Sequence, residues 1–459
     1  MATDPRRSLK RLVTVAGLAA LAFVLVRLQT SASASATATV LLGFLLLASY
    51  MSGAATRSLG LPGITGYVLV GILVGPFALG ILSPRMVELL RRIDDIALAL
   101  IALTAGGELR LADLRRSARP ILGIGLGIMA AVTLGMTALV LAARPVVPLL
   151  AGLPWPAVFV LGLLLAIWCA NSSPDATVAV INETGAAGDF TETVLGTTIL
   201  KDVLVLIAFA AALALGAPLV RPDTAFDPDL LARVGWEVGG ALLAGAAAGA
   251  AFAVGLRRMG ERPVLATLAF TYLLVLLAET LHVELLLAAV GAGFVIENFS
   301  EEGDRLIHAI EGNALVVFAI FFALAGAALD LRTLARYWPL VVGIVVARTL
   351  LTWAGARAGA WAGRAPPAVA RWSWMGLVSQ AGVTLGLSGL VAESLPGPGD
   401  VFAAVTTAVI IVHLLAGPVL LKAALARMGE AGAASGTPVG KAPAGVRGAT
   451  DGRSNREEA

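Results

Sequence analysis

Apolar residues fall along the chain in long blocks separated by polar or Pro/Gly-rich breaks. Each block is roughly 17 to 25 residues, the length that crosses a bilayer as a helix. About fourteen such spans can be drawn, near residues 11–28, 38–55, 62–81, 93–113, 118–143, 155–183, 193–216, 234–256, 263–281, 284–299, 312–332, 337–362, 371–394 and 401–424. The blocks lack the period-two alternation over about ten residues that marks a membrane β-barrel strand. The pattern predicts an all-α polytopic membrane protein with about 13–14 transmembrane helices.

Composition agrees, with 58% hydrophobic residues, 14% charged residues and a mean hydropathy of +0.89. A soluble domain carries about 25% charged residues. Lys and Arg of short loops set orientation. Arg6, Arg7, Lys10, Arg11, Arg110, Arg115, Arg116, Arg119, Arg257, Arg258 and Arg262 fall on one side, against Arg91, Arg92 and Arg332 on the other. This balance places both termini in the cytoplasm, and it accounts for a net charge of +3 without a nucleic-acid partner. Residues 1–37 read either as a first helix or as a signal peptide, because a basic start and a short apolar run precede "SASASA". Residues 429–459, rich in Gly, Ala, Pro and Ser, read as a disordered cytoplasmic tail. The lone Cys169 has no partner for an intramolecular disulfide. No GxGxxG follows a strand, and His282, His308 and His413 are scattered, so the sequence calls for no cofactor.

The chain also repeats itself. "LGLPGITGYVLVGILVGP" (59–76) reads like "LHVELLLAAVGAGFVIEN" (281–298), and "LIALTAGGELRLADL" (100–114) like "AIFFALAGAALDLRTL" (319–334), each pair about 220 residues apart. An odd number of spans separates the members of a pair, so the second copy is inverted in the membrane, as in many secondary transporters. The predicted organisation is a first inverted repeat (38–216), a linking transmembrane helix (217–262) and a second inverted repeat (263–428). Each repeat should contain one broken helix, and the two should cross near the bilayer midplane. In "WCANSSPDATVAVINE", Pro174 breaks the helix, and Asn171, Ser172 and Ser173 can satisfy the freed groups. In "GLVSQAGVTLGLSG", Ser379, Gln380 and Gly382 stand at the matching place. Gly235 with Gly239, Gly245 with Gly249, and Gly291 with Gly293 read as close-packing positions between helices.

Lys201 and Asp202 lie side by side in the apolar run "TTILKDVLVLIAF". The segment "NSSPDATVAVINETGAAGDFTETVLGTTILKDVLVLIAFA", together with "LGLPGITGYVLVGILVGP", "FFALAGAALDL", "GLVSQAGVTLGL" and "AGPVLLKAAL", resembles the monovalent cation:proton antiporter superfamily. The likeness is to its second family, of bacterial sodium/proton exchangers and Kef-like membrane domains, and covers the chain from about 40 to 425. It implies a homodimer in the bacterial inner membrane, each protomer having a scaffold and a mobile core, with Na⁺ or K⁺ and H⁺ as transported partners. It also implies that Asp202 carries cation and proton in turn.

The residue chemistry agrees, since an uncompensated carboxylate inside a membrane is costly and either ion relieves the cost. Thr198, one turn earlier, and Ser173, Asp175 and backbone carbonyls at the break are candidate oxygen ligands for a monovalent cation at Asp202. Lys201 departs from the family pattern. It is expected either to pair with Asp175 or, desolvated, to carry a second proton. Arg348 stands where the family often has Lys or Arg, and should meet a carboxylate or cap broken-helix carbonyls. Asp175 and Asp202 against Lys201 and Arg348 make a formally neutral core, which favours one-for-one exchange. Glu108 and Asp330 read as interfacial, and Glu279 and Glu297 as candidates to line the ion path. A Kef-like potassium efflux system is the alternative. An intramembrane enzyme finds no supporting motif, and a transporter rather than an enzyme is expected.

Overall fold

The computed structural model describes residue 17 and residues 34–433, apart from 221–227, 260–262, 304–305, 307–309, 311–313 and 396. Apart from residue 17, the span predicted at 11–28 lies outside the described residues, as do His308 and most of the 429–459 tail. The main described helices are α1 (Ala34–Ser58), α2 (Gly63–Val74), α3 (Pro84–Gly107), α4 (Leu111–Ala143), α5 (Trp155–Ala170), α6 (Pro174–Thr184), α7 (Asp189–Val220), α8 (Pro228–Met259), α9 (Pro263–Leu281), α10 (Leu285–Phe299), α11 (Ala314–Ala327), α12 (Leu331–Ala362), α13 (Pro367–Gly376), α14 (Gly382–Ser394) and α15 (Pro398–Met428). The described residues contain no strand.

Every span predicted from residue 38 onward falls on one of these helices or on a pair of half-helices. The ends differ more. α3 starts at Pro84, not near 93, because Ser83 caps it by accepting the Met86 N–H at 3.3 Å. α12 starts at Leu331, not near 337, because the Asp330 carboxylate accepts the Arg332 N–H at 2.8 Å and the Thr333 hydroxyl at 2.9 Å. Hydropathy marks the apolar middle of a helix, whereas capping chemistry decides where it begins. At the other ends, Gly185 (φ 55°) closes α6 and Gly429 (φ 73°) closes α15 in the left-handed conformation that glycine adopts freely.

Among the described residues, eight helical stretches are long and apolar enough to cross a bilayer, and shorter apolar helices stand between them. Helix α2, with 12 residues, rises only about 18 Å and survives because most of its residues are buried among its neighbours. The order α1–α7 recurs as α9–α15, with α8 between. Each half has a short second helix, a 3-residue step before its fourth helix (Glu108–Arg110, Ala328–Asp330), and a fifth pass split in two. Contacts between chain ends agree with alternating passes: Arg110 pairs with Glu297 (2.9 Å), and Arg116 pairs with Asp189. The Glu430 carboxylate accepts the Phe190 and Thr191 N–H groups at the start of α7 (2.9 and 2.8 Å).

Two bundles result. In one, α4–α7 and α12–α15 pack together; in the other, α1–α3 pack with α8–α11. Glycines set the closest approaches. On α4 and α12, a Cβ at Gly123 would lie 2.4 Å from Gly359 O, and one at Gly359 would lie 2.1 Å from Gly123 O. The Gly127–Gly355 pair repeats this one turn along, at 2.5 and 2.6 Å. In the other bundle the same contact occurs twice in related positions: Gly71 on Ala323 O with Gly326 on Val68 O, and Gly293 on Leu103 O with Gly106 on Val290 O. Gly245 and Gly249 pack against Ala288 and Ala292 of α10, whereas Gly235 and Gly239 would meet nothing within 4 Å. The first of the two glycine pairs expected to pack in the linking helix therefore does not.

Replacing Gly359 by Leu drives a side chain into a backbone carbonyl and should lower stability by roughly 2 kcal/mol or more. Gly343→Leu on the same helix, where a Cβ meets nothing within 4 Å, should leave it nearly unchanged. Thermal unfolding of the purified variants in detergent checks the contrast.

Candidate functional site

Helix α5 ends at Ala170 because Pro174 cannot continue its hydrogen bonding, and Asn171–Ser173 are extended before α6 starts. In the second half α13 ends at Gly376, Leu377–Ala381 are non-helical, and α14 starts at Gly382. The two breaks touch, with Ser173 N donating to Ser379 O at 2.9 Å. The Ser172 hydroxyl donates to Leu377 O at 2.8 Å. Trp168 Nε1 donates to Thr384 O at 2.8 Å, and Gln380 Nε2 donates to Trp168 O at 3.1 Å. Ser173 also caps α6 by accepting the Ala176 N–H at 3.2 Å.

A broken helix leaves backbone carbonyls without partners, which apolar surroundings cannot hydrate. Arg348, fully buried on α12, answers for three of them. Its Nε donates to Cys169 O, its Nη1 to Val378 O and its Nη2 to Asn171 O, each at 2.7 Å. One guanidinium thus caps both breaks, and Arg348 serves carbonyls and not a carboxylate. Each of those three carbonyls thereby has one of its two lone pairs engaged.

Lys201 is 0% exposed, and its ammonium donates to Ser172 Oγ at 2.6 Å. It forms no ion pair with Asp175, contrary to the expected pairing. The serine at the break holds Lys201 because that hydroxyl is anchored in turn on Leu377 O. Asp202 is 1% exposed, and neither of its carboxylate oxygens has a partner in good hydrogen-bond geometry, although the Asn171 side chain lies close by. Asp175, equally buried, accepts from Ser173 Oγ at 3.2 Å through Oδ2, while its Oδ1 is unpartnered. Thr198 spends its proton on Val194 O (2.8 Å), leaving lone pairs, and the buried hydroxyls of Thr197 and Ser379 and the Gln380 Oε1 have no partner.

One acid escaped the sequence reading. Glu284 lies within electrostatic reach of both Asp202 and Asp175. It is the N-cap of α10, and its Oε2 accepts the Leu287 N–H at 2.6 Å. The clue was present: in the repeat quoted above, an acid directly precedes the apolar run, as an N-cap does. Counting it changes the charge balance. Counted formally, three carboxylates then stand with two basic side chains, where the sequence reading counted two and two.

Two cavities separate the bundles near the broken helices. One of about 490 Å³ is lined by Arg57, Tyr67, Ala179, Asn182 and Glu183 among others. The other, about 310 Å³, includes Glu88, Asp94, Phe321, Ala381 and Leu385. Of the remaining candidates, Glu297 is engaged by Arg110, Glu108 and Asp330 sit at helix ends, and Glu279 lines a third cavity of about 540 Å³ with Glu88, Asp95 and His282. No group of three or more His, Cys, Asp or Glu able to hold a metal ion occurs among the described residues.

Arg348→Leu should strand three buried carbonyls and cost roughly 3 kcal/mol or more. Arg348→Lys should recover only part, because one ammonium cannot reproduce the three-way fork. Unfolding temperature in detergent, read for both variants, checks this order.

A family model described as the transmembrane sodium/hydrogen exchanger matches residues 43–426. The chain is similar to the probable Na⁺/H⁺ antiporter GerT of Bacillus cereus, 30% identical over 167 residues, or 36% of this chain and 41% of GerT. That alignment spans less than half of GerT's length. It is also similar to the Na⁺/H⁺-K⁺ antiporter GerN of the same organism, 25% identical over 390 residues, which is 83% of this chain and 94% of GerN. Among solved structures, the sodium proton antiporter MjNhaP1 of Methanocaldococcus jannaschii at pH 8 matches with a TM-score of 0.65 at 17% identity, covering 86% of this chain and 98% of that one. An electron-microscopy map of MjNhaP1 matches at 0.66, covering 84% and 95%. At this identity the structural likeness shows the fold.

Proposed function

The chain belongs to the transmembrane sodium/hydrogen exchanger family, and we propose that it exchanges a monovalent cation, Na⁺ or K⁺, for a proton across the bacterial inner membrane, Asp202 carrying the two in turn. The observation that carries this reading is a fully buried carboxylate with both oxygens unpartnered beside two crossed helix breaks. A bare buried charge is expensive, so the site favours whichever ion neutralises it, and two ions that compete for one carboxylate are coupled.

The charge balance supports a stoichiometry. With Asp175, Asp202 and Glu284 ionised and Lys201 and Arg348 charged, one positive charge is lacking, and one monovalent cation or one proton supplies it. Thr198, Ser173 and Asp175 are the proposed oxygen ligands beside Asp202. Lys201 holds the break through Ser172 and keeps a second cation out by repulsion. The proposed motion is alternating access, with the bundle of broken helices moving against the scaffold of α1–α3 and α8–α11 within a homodimer in lipid. A cavity beside the breaks at each of two places supports that geometry.

The test is proton flux in proteoliposomes with an imposed pH gradient, adding Na⁺, K⁺ or Li⁺ to wild type, Asp202→Asn and Lys201→Ala. Cation-dependent collapse of the gradient in wild type, abolished in Asp202→Asn, is the expected result. A wild type in which no cation moves protons would sink the proposal. Lys201→Ala should retain coupling at a lower rate if the lysine is structural, and lose proton coupling if it is a carrier.

Competition also fixes the direction of the pH dependence. As pH falls, protons occupy more of Asp202, so the cation concentration for half-maximal flux should rise, approaching about tenfold per pH unit in the acid limit. Flux titrated with cation at several symmetric pH values measures it. A half-saturation independent of pH would mean that cation and proton use different groups.

A further inference from the structure

The two bundles are tied to each other by charged side chains beside the 490 Å³ cavity, which Glu183 lines. Lys422 of α15 donates to Glu183 Oε1 at 3.3 Å and to Leu61 O, in the α1–α2 loop, at 3.0 Å. Glu183, near the end of α6, accepts the Gly63 N–H at 2.6 Å through its other oxygen. Gly63 is the first residue of α2, so this anion also sits at a helix N-terminus, where it is electrostatically favoured. Arg57 donates to Tyr67 Oη at 3.0 Å beside it. The site is built for close approach, since a Cβ at Gly63 would lie 2.5 Å from Arg57 Nη1 and 2.9 Å from Glu183 Oε2. The side chains of Lys422 and Glu183 are only 26% and 13% exposed, so solvent screens the pair less than it would a surface pair.

The cavity points from this tie toward the ion site. On α6, Asp175, Ala179, Asn182 and Glu183 stand at i, i+4, i+7 and i+8 and share one helix face. The last three line the cavity, and Asn182 Nδ2 is buried there without a partner. The α6 wall of the cavity is thus the face that, one turn deeper, carries Asp175.

We propose that Glu183 and Lys422 form a gate at the mouth of a route along α6 to Asp175 and Asp202, holding the two bundles together on this face until they move. The gate rests on the alternating-access reading, because only relative motion of the bundles requires these contacts to break. Each core side chain grips scaffold backbone, Lys422 through Leu61 O and Glu183 through Gly63 N, so neither bundle can shift here without releasing both bonds. The ion pair couples the two releases.

The test uses the full chain in lipid nanodiscs, where both faces are open, with Cys169→Ala and Ala179→Cys introduced and a membrane-impermeant maleimide as the probe. Lys422→Met and Glu183→Gln should each speed labelling at position 179 by about tenfold, the factor that one charge-assisted hydrogen bond commands. The double variant should match the faster single, because both break one device. Lys422→Arg should stay near the parent rate, which guards against a fold lost through the substitution. Unchanged labelling in both single variants, or effects that multiply in the double, would overturn the gate. Labelling needs no transport, so it is scored independently of proton flux: a wild type that moves no protons defeats the exchange reading, whereas normal flux with unchanged labelling defeats the gate alone.

Discussion

Backbone hydrogen bonding without water is the constraint on which the rest depends. A helix interrupted inside the bilayer exposes carbonyls that neither lipid nor a neighbouring helix ladder can satisfy. Here the interruption is doubled, and a single guanidinium fork spans both breaks through Cys169, Asn171 and Val378. The requirement for three divergent donors in one rigid plane explains an arginine at this place. It also explains why the breaks lie in contact: one fork can serve both only if they do, and the Ser173–Ser379 backbone bond keeps them there.

Once Arg348 is committed to carbonyls, it is not available to neutralise Asp202 by direct contact. Lys201, anchored on Ser172, is likewise turned to the break. Many polar groups of the crossing therefore satisfy one another, and the Asp202 carboxylate is left over together with Asp175 Oδ1, the Thr197 and Ser379 hydroxyls and Gln380 Oε1. A membrane interior magnifies that residue of unmet interaction, since a lone ion is far more costly there than in water. The site is a scaffold of hydrogen bonds that leaves one carboxylate and a few neighbouring oxygens unpartnered.

Much of this was legible in the sequence, and the failures are instructive. Pro174, preceded by Asn171, Ser172 and Ser173, announced the first break, and the matching Ser379–Gly382 segment announced the second; a proline alone does not, since Pro339 and Pro418 lie inside continuous helices. Arg348 could be recognised as a capping group but not assigned its partners, since a carboxylate and a carbonyl answer a guanidinium equally well on paper. For Lys201 the sequence leaves a pairing with Asp175 and a proton-carrying role open, whereas its partner in the structure, Ser172, is set by how α7 is rotated against α5 and α6, which no periodicity in a uniformly apolar helix encodes. Glu284 went unread because it stands at the edge of an apolar span, where an acid looks interfacial. The glycine contacts between α4 and α12 were missed for a related reason: those helices carry many small residues, and only their crossing point shows which ones matter.

Those crossings also say where the molecule is stiff. Among the described glycines, every approach that would put a Cβ within 3 Å of another helix's backbone lies inside one bundle or the other, while Gly63 meets the neighbouring bundle only at the tip of Glu183. Backbone wedged against backbone admits almost no sliding, because the main chain cannot yield without unwinding. Side-chain tips can let go by rotating about a few single bonds. The boundary between the bundles is therefore marked by what does the touching: main chain is wedged against main chain within each bundle, and the glycine contact between them is with a side-chain tip.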